Sequence, residues 1–353
     1  MSRNAGRANG ELSLSSVLTV DLDAIVANWR ALDARTAPGC ETAAVVKGDG
    51  YGCGAERVGV ALARAGVRSF FVAVPSEGAI LRAAIGPAPV IYILGGYGAA
   101  EAADYAAHDL RPVLNSAEQA RAWFGGPNGP CAIQLDTGMN RLGMEADEFA
   151  ALGPLPDTVD LLMSHMGCAD DPAHAMNAQQ LAEFRRLTDG TTARRSLSAT
   201  AGLLLGADYH FDLTRMGIGL YGGWPFADAQ PVVTVEAPII QIRDLAEGET
   251  VGYGASFTAE RPTRLATISA GYADGLIRYL SHGATAFIGG QPVPFAGRVS
   301  MDLITLDVTD SDCAPGDMVE LLGPRQSIDD LARAAGTIGH EILTSLGKRY
   351  ARA

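Results

Sequence analysis

The stretch Ala44-Val45-Val46-Lys47-Gly48-Asp49-Gly50-Tyr51-Gly52 joins a short apolar run to a glycine-rich loop through a single lysine. Val45 and Val46 are β-branched, and turn residues bound the run, which is typical of a buried strand. Lys47 then stands where the strand ends. A lysine at that point is partly desolvated, which lowers its pKa and makes its amine a nucleophile towards a carbonyl. On this stretch alone, the simpler interpretation is a lysine that extends its amine to water.

The composition indicates a globular protein with neither a nucleic-acid nor a membrane partner. The 353 residues suit about two domains, and 48% hydrophobic residues with 19% charged residues predict a large core. A formal net charge of −13 argues against nucleic acid, which requires a basic footprint, and against an anionic membrane surface. No apolar run is long enough to span a bilayer.

The cysteines predict reduced thiols and no metal site. They are five in number, far apart and without a Cys-x-x-Cys pair, so neither a disulfide framework nor a zinc knuckle is indicated. Residues 1–16 are polar, so we expect a loose tail there and no signal peptide. We therefore expect a cytoplasmic protein. The cysteines are Cys40, Cys53, Cys131, Cys168 and Cys313.

Apolar runs of four to six residues alternate with helix-like segments between about residues 40 and 222. Such alternation implies a parallel sheet, and about eight units predict a (β/α)8 TIM-like barrel. A doubly wound sheet is the alternative, because periodicity alone does not separate the two. Helices are predicted at 56–65, from Ser116 onwards and at 172–187. The predicted strands are 43–46, 70–74, 90–94, 111–114, 132–135, 159–163, 197–201 and 218–221.

From about residue 229 the chain changes character, with short strands separated by glycine- and proline-containing turns. That pattern predicts an all-β domain. We expect helices in it only at 327–335 and 341–346. The predicted organisation is therefore a tail (1–16), an α/β barrel (17–228) and a C-terminal β domain (229–353). Its predicted strands are 232–235, 239–242, 265–269, 285–288, 303–308 and 319–322.

Polar residues close several of the predicted barrel strands, and in such barrels chemistry collects at the carboxyl ends of the strands. A lysine that can condense with an aldehyde, a hydroxyl and glycine amides suited to a phosphate, a flat imidazole and an arginine together describe a pyridoxal phosphate site. The residues concerned are Lys47, Asp136 to Arg141, Ser164 and His165, Thr200, and Arg215 to Gly219.

Eight blocks of this sequence resemble, in order and spacing, the signature blocks of the alanine racemases, from about residue 17 to 352. The resemblance implies a barrel followed by a β domain, a head-to-tail homodimer with shared active sites, and pyridoxal 5'-phosphate as cofactor. It also implies an isomerase that interconverts L-alanine and D-alanine, the latter for peptidoglycan. The blocks are AVVKGDGYGCG, QLDTGMNRLG, SHMGCAD, RMGIGLYGG, VGYGASF, ISAGYADG, GRVSMD and GHEILTSLGKRY.

The resemblance also assigns roles to individual residues. Lys47 carries the cofactor covalently and is one catalytic base, and Tyr253 is the second, reaching the cofactor held by the partner subunit. Met301 and Arg141 bind the substrate. The other cofactor-binding residues are Tyr51, Arg141, His165, Thr200, Arg215, Gly217, Ile218 and His340. The passage into the site is lined by Asp170, Tyr272, Arg278, Arg298 and Asp302.

The chemistry of racemisation supports the two-base assignment. A proton must leave one face of an α-carbon and return on the other. One base cannot easily serve both faces. Lys47 covers one face and Tyr253 the other. Arg215, opposite the pyridine nitrogen, is permanently charged and cannot protonate the ring as an acid would, which makes the cofactor a weaker electron sink.

Three positions depart from the common family pattern. Gln134 stands where many members have a carbamylated lysine, so we expect Arg141 to pair with a bound anion such as chloride. His340 replaces a tyrosine that usually touches the phosphate. Residues 196–202 lack the usual histidine and Asn-Ser pair, which leaves Thr200 as the substitute donor. These departures leave the substrate range open.

Other pyridoxal phosphate proteins are the alternatives. A non-catalytic homeostasis protein with a similar barrel lacks a β domain, so the residues after 229 argue against it. A barrel-type decarboxylase of basic amino acids would carry a glycine-triplet phosphate loop and a cysteine-bearing substrate motif, neither of which occurs here. A racemase of broader specificity, or one for serine, stays open.

Overall fold

The structure, a computed structural model, describes residues 14–353 and divides into two compact units. One comprises residues 22–230, and the other joins 14–21 to 231–353. Strand β1 (Val17–Val20) belongs to the second unit, because it pairs antiparallel with residues 233–236. The organisation predicted from the sequence, by contrast, places these residues in the barrel. Of the predicted tail, residues 1–13 lie outside the described part of the chain.

The first unit is an eight-stranded parallel sheet that nearly closes on itself, which confirms the barrel and excludes the doubly wound alternative. Each strand pairs with the next, and β2 pairs with β9. The last gap, between β8 and β9, is crossed by a hydrogen bond of 2.9 Å from the Arg215 N–H to the Ser198 carbonyl. The strands are β2 (Glu41–Val45), β3 (Ser69–Val72), β4 (Val90–Ile93), β5 (Leu110–Leu114), β6 (Cys131–Gln134), β7 (Val159–Met163), β8 (Arg194–Ser196) and β9 (Leu213–Met216).

Nine helices accompany these strands in residues 22–230. The predicted helix start at Ser116 is confirmed, since the Ser116 hydroxyl accepts the Gln119 N–H at 3.2 Å and caps α6. The helices are α1 (Leu22–Asp33), α2 (Lys47–Tyr51), α3 (Ala55–Ala65), α4 (Pro75–Ile85), α5 (Ala102–Ala107), α6 (Ala117–Phe124), α7 (Ala146–Ala150), α8 (Ala175–Thr188) and α9 (Thr200–Leu204).

Two predicted barrel strands are wrong. The run at 197–201 is a loop that leads into α9, and the strand precedes it as β8. The run Ile218–Tyr221 is a 3₁₀ turn after β9. All four residues of that turn are buried, and a short apolar run that is buried on every side does not distinguish a strand from a helical turn.

The second unit is rich in strands, as predicted. Its centre is β10, one strand of 13 residues where two were expected, which pairs with β1, β13 and β17. Its first half pairs with β1 and β17 and its second half with β13, and a register shift lies between Ile239 and Gln241 within the pairing with β13. The strands are β10 (Val233–Leu245), β11 (Thr250–Val251), β12 (Phe257–Thr258), β13 (Thr263–Ile268), β14 (Thr285–Ile288), β15 (Gln291–Pro294), β16 (Ile304–Asp307), β17 (Met318–Leu322) and β18 (Ala351–Arg352). The helices are α10 (Ile328–Ala334) and α11 (Gly339–Ser345).

Ion pairs lie at the amino ends of the barrel strands. Asp160 of β7 accepts from Tyr92 of β4 at 3.1 Å and pairs with Arg111 of β5. Arg194 of β8 pairs with Glu41 of β2 at 2.8 Å. This end is held together by mutual charge pairing, so the polar residues at the opposite end are the candidates for chemistry. No helix within residues 14–353 is long and apolar enough to cross a membrane.

Candidate active site

The short segment α2, which carries Lys47, is not a regular α-helix but a loop that winds in the left-handed sense. The five residues from Gly48 to Gly52 all have φ between 54° and 80°. Three of them are glycines, which adopt this conformation freely, whereas Asp49 and Tyr51 each bear a cost of roughly 1–2 kcal/mol. Hydrogen bonds offset it: the Gly52 N–H donates to the Gly48 carbonyl at 2.8 Å, and the Asp49 carboxylate accepts the Ala55 N–H at 2.9 Å.

Lys47 lies at the carboxyl end of β2 with its side chain exposed at the mouth of the barrel. The pKa of Lys47 is lowered, chiefly because surrounding protein atoms displace water from the ammonium. The positive charge of Arg141 contributes in the same direction, as does Arg215, while the carboxylate of Glu77 opposes them. The neutral amine that a lowered pKa favours can attack a carbonyl or accept a proton.

Arg215 of β9 is a buried guanidinium, 3% exposed. Its Nη atoms donate to carbonyl oxygens of Ser196 (3.1 Å), Ser164 (2.6 Å) and Leu197 (3.3 Å). Within residues 14–353 no carboxylate pairs with it and its Nε donates no hydrogen bond. Burial lowers the pKa of Arg215 to about 9, so it stays cationic at neutral pH. Its free Nε donor therefore suits an acceptor supplied by a ligand.

His165, two residues after the end of β7, is a neutral ring. Its Nδ1 lies 3.4 Å from Nη2 of Arg215. Arginine has no acceptor, so Nδ1 accepts and the proton resides on Nε2. Burial, followed by the charges of Arg215, Arg141 and Lys47, lowers the pKa of His165 to about 3. A ring that stays uncharged at neutral pH can stack on a flat ligand, but it is too weak a base to take an α-proton.

The turn after β9 has the features of a phosphate cradle. The Thr200 hydroxyl accepts the N–H groups of Gly217 (3.2 Å) and Gly219 (3.3 Å). A Cβ on Gly217 would lie 2.6 Å from the Tyr51 hydroxyl, whose buried ring stacks on Tyr221 at 4.4 Å. The residues predicted to bind the phosphate therefore lie close together: Tyr51, Thr200, Gly217 and the adjoining Ile218.

Arg141 lies on the loop after β6 with its side chain exposed. The Asp136 carboxylate shapes that loop by accepting the N–H groups of Gly138 (2.8 Å) and Asn140 (3.2 Å). Gln134, the last residue of β6, is 8% exposed, and its side-chain amide makes no hydrogen bond to any residue between 14 and 353. Within residues 14–353 the Gln134 amide therefore does not hold Arg141 by a hydrogen bond.

The second predicted base lies in the second unit. Tyr253 is 72% exposed and is flanked by Gly252 and Gly254, both with φ of 72°. The Arg298 guanidinium lies against this turn, because a Cβ on Gly254 would be 2.9 Å from its Nη1. Tyr253 therefore presents its phenol outwards from a tight turn.

Met301 and Tyr272 lie in adjoining turns of the same unit. The Ala273 N–H donates to the Met301 carbonyl at 3.0 Å, and a Cβ on Gly271 would come within 2.4 Å of that oxygen. Asp302 accepts from Arg349, which also binds the buried Asp274. The remaining predicted residues are each exposed: Asp170 before α8, Arg278 in a 3₁₀ segment, and His340 in the first turn of α11.

Three residues of the first unit that the sequence does not predict contact the predicted site residues or the segment beside Lys47. Ser196 accepts from Arg215 with its hydroxyl. The Glu77 carboxylate accepts two loop N–H groups, one of them that of Gly48. Gln180, fully buried on α8, accepts the Gly167 N–H at 2.8 Å and donates to the His165 carbonyl at 2.9 Å. The only local signal was the Pro-Ser-Glu start of α4, which marks Glu77 as a first-turn carboxylate.

Comparison with known protein families gives two adjoining matches. The profile for the alanine racemase N-terminal domain matches residues 20–225, and that for the C-terminal domain matches residues 232–353. Within residues 14–353 there is no group of three or more His, Cys, Asp or Glu side chains that could hold a metal ion.

Among curated proteins, an alanine racemase of Dinoroseobacter shibae is 56% identical over 341 residues, 96% of this chain and 97% of that protein. A biosynthetic alanine racemase of Agrobacterium fabrum is 46% identical over 95% of this chain and 92% of that protein. Among solved structures, alanine racemase from Bartonella henselae with covalently bound pyridoxal phosphate superposes with a TM-score of 0.91 at 40% identity, covering 97% of this chain and 99% of that one.

Proposed function

Since the chain belongs to the alanine racemase family, it is an isomerase whose reaction is the racemisation of alanine, and we propose that Lys47 and Tyr253 are its two bases. The observation that carries this proposal is the cluster at the carboxyl ends of the barrel strands. There, one lysine of lowered pKa lies near a neutral histidine and a buried arginine, which has no carboxylate partner among residues 14–353.

The residues of the barrel mouth fit pyridoxal 5'-phosphate, which we propose as the cofactor. When bound, this group withdraws electrons from the α-carbon of an amino acid and so acidifies the α-hydrogen. Lys47 would attach it covalently, and the free Nε of Arg215 would face its ring nitrogen. His165 would stack on the ring. The Ile218 N–H, with the Thr200 and Tyr51 hydroxyls, would hold the phosphate, and the Gly217 N–H, which donates to the Thr200 hydroxyl, would orient that hydroxyl.

Arg215 also restricts the chemistry. A guanidinium only donates hydrogen bonds at neutral pH, so it could not place a proton on the ring nitrogen that it would face. Its five carbonyl, hydroxyl and imidazole acceptors fix the group in one orientation. We therefore propose that Arg215 favours proton return to the α-carbon over competing reactions such as transamination.

We further propose a homodimer in which Tyr253 reaches the partner's cofactor, with Arg141 and Met301 holding the substrate carboxylate. The exposure of several large apolar side chains of the second unit supports an interface there. They include Tyr253, Tyr272, Tyr279, Met301, Leu303 and Ile338. Residues Asp170, Arg278, Arg298 and Asp302 would line the way in, and His340 would assist at the phosphate. A cytoplasmic location and the supply of D-alanine for peptidoglycan stay predictions.

Exchange of the α-hydrogen for deuterium across a panel of amino acids tests the function. We expect alanine to exchange fastest and to racemise at a comparable rate, because proton removal and return use the same two groups. Bound cofactor without exchange of alanine would indicate a carrier, and release of carbon dioxide a decarboxylase. Faster exchange of serine would indicate a racemase of different preference.

Gly217→Ala tests the phosphate cradle. The added methyl would overlap the Tyr51 hydroxyl, whose ring is buried against Tyr221 and cannot easily move. We expect the cofactor to bind about tenfold more weakly, measured by fluorescence titration of the cofactor-free chain. Gly129→Ala is the control, because its Cβ would make an ordinary 3.6 Å contact with Trp123. Equal affinities in both variants would show that the cradle lies elsewhere.

A further inference from the structure

Glu77 ties together the loops that follow two neighbouring barrel strands. It lies in the first turn of α4, and its Oε1 accepts the Gly48 N–H at 2.7 Å. Its Oε2 accepts the Ala73 N–H, also at 2.7 Å. Gly48 follows Lys47 directly, and Ala73 directly follows β3. One carboxylate therefore holds the peptide next to the lysine against the end of the adjacent strand.

We propose that Glu77 is a positioning residue for Lys47, fixing the Lys47–Gly48 peptide and supplying the negative charge that balances the arginines around the amine. The proposal rests on the proposed role of Lys47 as base. No role follows for Glu77 in binding substrate, since both carboxylate oxygens are engaged by backbone N–H groups.

The backbone geometry indicates how Glu77 positions Lys47. Gly48, with φ of 63°, is where the chain turns from the extended strand into the left-handed segment. Its N–H points to Glu77, and a hydrogen bond to a charged acceptor is roughly twice as strong as a neutral one. Without that acceptor, the orientation of the Lys47 peptide would depend on the Gly50 and Gly52 bonds further along the loop.

The groups that face Lys47 indicate why the negative charge of Glu77 matters. Arg141 reaches it from the loop after β6 and Arg215 from β9, and both disfavour a second positive charge. His165, after β7, is neutral and brings no compensation. Glu77 acts in the opposite direction from α4. A base that must take a proton and also return it works best with a pKa that is neither very low nor very high. The negative charge of Glu77 keeps the two arginines from lowering the pKa of Lys47 too far.

The sequence makes a direct test possible, because it contains only two lysines, Lys47 and Lys348. Reductive methylation of the full-length, cofactor-free chain with ¹³C-formaldehyde gives two lysine signals that can be titrated by NMR. In Glu77→Gln we expect the Lys47 midpoint to fall below that of the wild type, with Lys348 unchanged as internal reference. We also expect the Gly48 amide to exchange with solvent about tenfold faster.

Glu148→Gln is the matched control. The Glu148 carboxylate also accepts the N–H of a residue after a barrel strand, that of Ala117 at 2.6 Å. The Glu148→Gln variant loses the same charge and the same kind of hydrogen bond. Glu148, however, is not among the groups that shift the pKa of Lys47. We expect the midpoint of the Lys47 titration in Glu148→Gln to equal that in the wild type. A midpoint that moves equally in both variants, or in neither, overturns the inference.

Two further measurements keep the test independent of protein folding and of the proposed function. In the unmodified chain, the amide signals of Gly48 and Ala73 should both move in Glu77→Gln and stay in place in Glu148→Gln, and movement of only one of them in Glu77→Gln overturns the inference. In the holoenzyme, the acidic limb of D-alanine exchange should move to lower pH in Glu77→Gln. If Lys47→Ala loses the cofactor while Glu77→Gln leaves the Lys47 titration unmoved, this inference fails and the proposed function stands.

Discussion

Replacing Tyr253 by phenylalanine should stop solvent exchange of the α-hydrogen of L-alanine while D-alanine continues to exchange. The phenol is the proposed base on the L face, whereas Lys47 serves the D face and is untouched by the change. Loss of one general base typically costs 10²–10⁴-fold, so the L-alanine rate should fall by about that factor. Exchange into D₂O, followed by NMR for each enantiomer separately, measures it.

Exchange, and not net racemisation, is the informative readout. L-alanine and D-alanine have equal free energies, so kcat/KM for racemisation must fall equally in both directions whichever base is lost. Tyr279→Phe is a suitable control, because Tyr279 is an exposed tyrosine of the same unit with no proposed part in proton transfer. If Tyr253→Phe slows both enantiomers alike, the division between the two bases is refuted.

Lys47→Ala should abolish covalent attachment of the cofactor and lower racemisation at least about a thousandfold, since one residue supplies both the attachment and a base. Borohydride reduction followed by mass spectrometry should show one added cofactor per wild-type chain and none in the variant. Lys348→Ala removes the only other lysine and should behave as wild type. Attachment that persists in Lys47→Ala would exclude the assignment.

Mixing the two inactive variants then tests whether active sites are shared between subunits. A dimer of one Lys47→Ala chain and one Tyr253→Phe chain would contain one site with both bases and one with neither. Half of the dimers in an equal mixture are mixed, so we expect about a quarter of the wild-type activity. No recovery, with mixed dimers purified through two different tags, would place both bases in the same chain.

The barrel and its strand-end residues could be predicted because their signals are local. Lys47, His165 and Arg215 each follow or belong to an apolar run, and the fold gathers such positions at one end. Tyr253 has no such signal: it is an exposed residue of a glycine turn, and only the family resemblance indicated it.

Glu77, Gln180 and Ser196 could not be predicted for a different reason. Each acts on backbone or side-chain groups that are distant in sequence: Glu77 on Gly48, Gln180 on His165, and Ser196 on Arg215. Strand β1 escaped likewise, because the pairing that identifies its unit is made with residues more than 200 positions away. Apolar patterning reports burial, but it does not report which partner a polar atom finds.

The placement of β1 has a consequence for biosynthesis. The strand lies between β10 and β18, parallel to the latter, so Val17 and Leu18 pair with Ala351 and Arg352. As the ribosome emits the chain, the barrel sequence emerges as one uninterrupted stretch and can fold at once. Val17–Val20 is made before the barrel, so it can pair with β10 only after the barrel sequence has been made, and with β18 later still. A nascent polypeptide stalled before β18 would carry a completed barrel and an unfinished sheet.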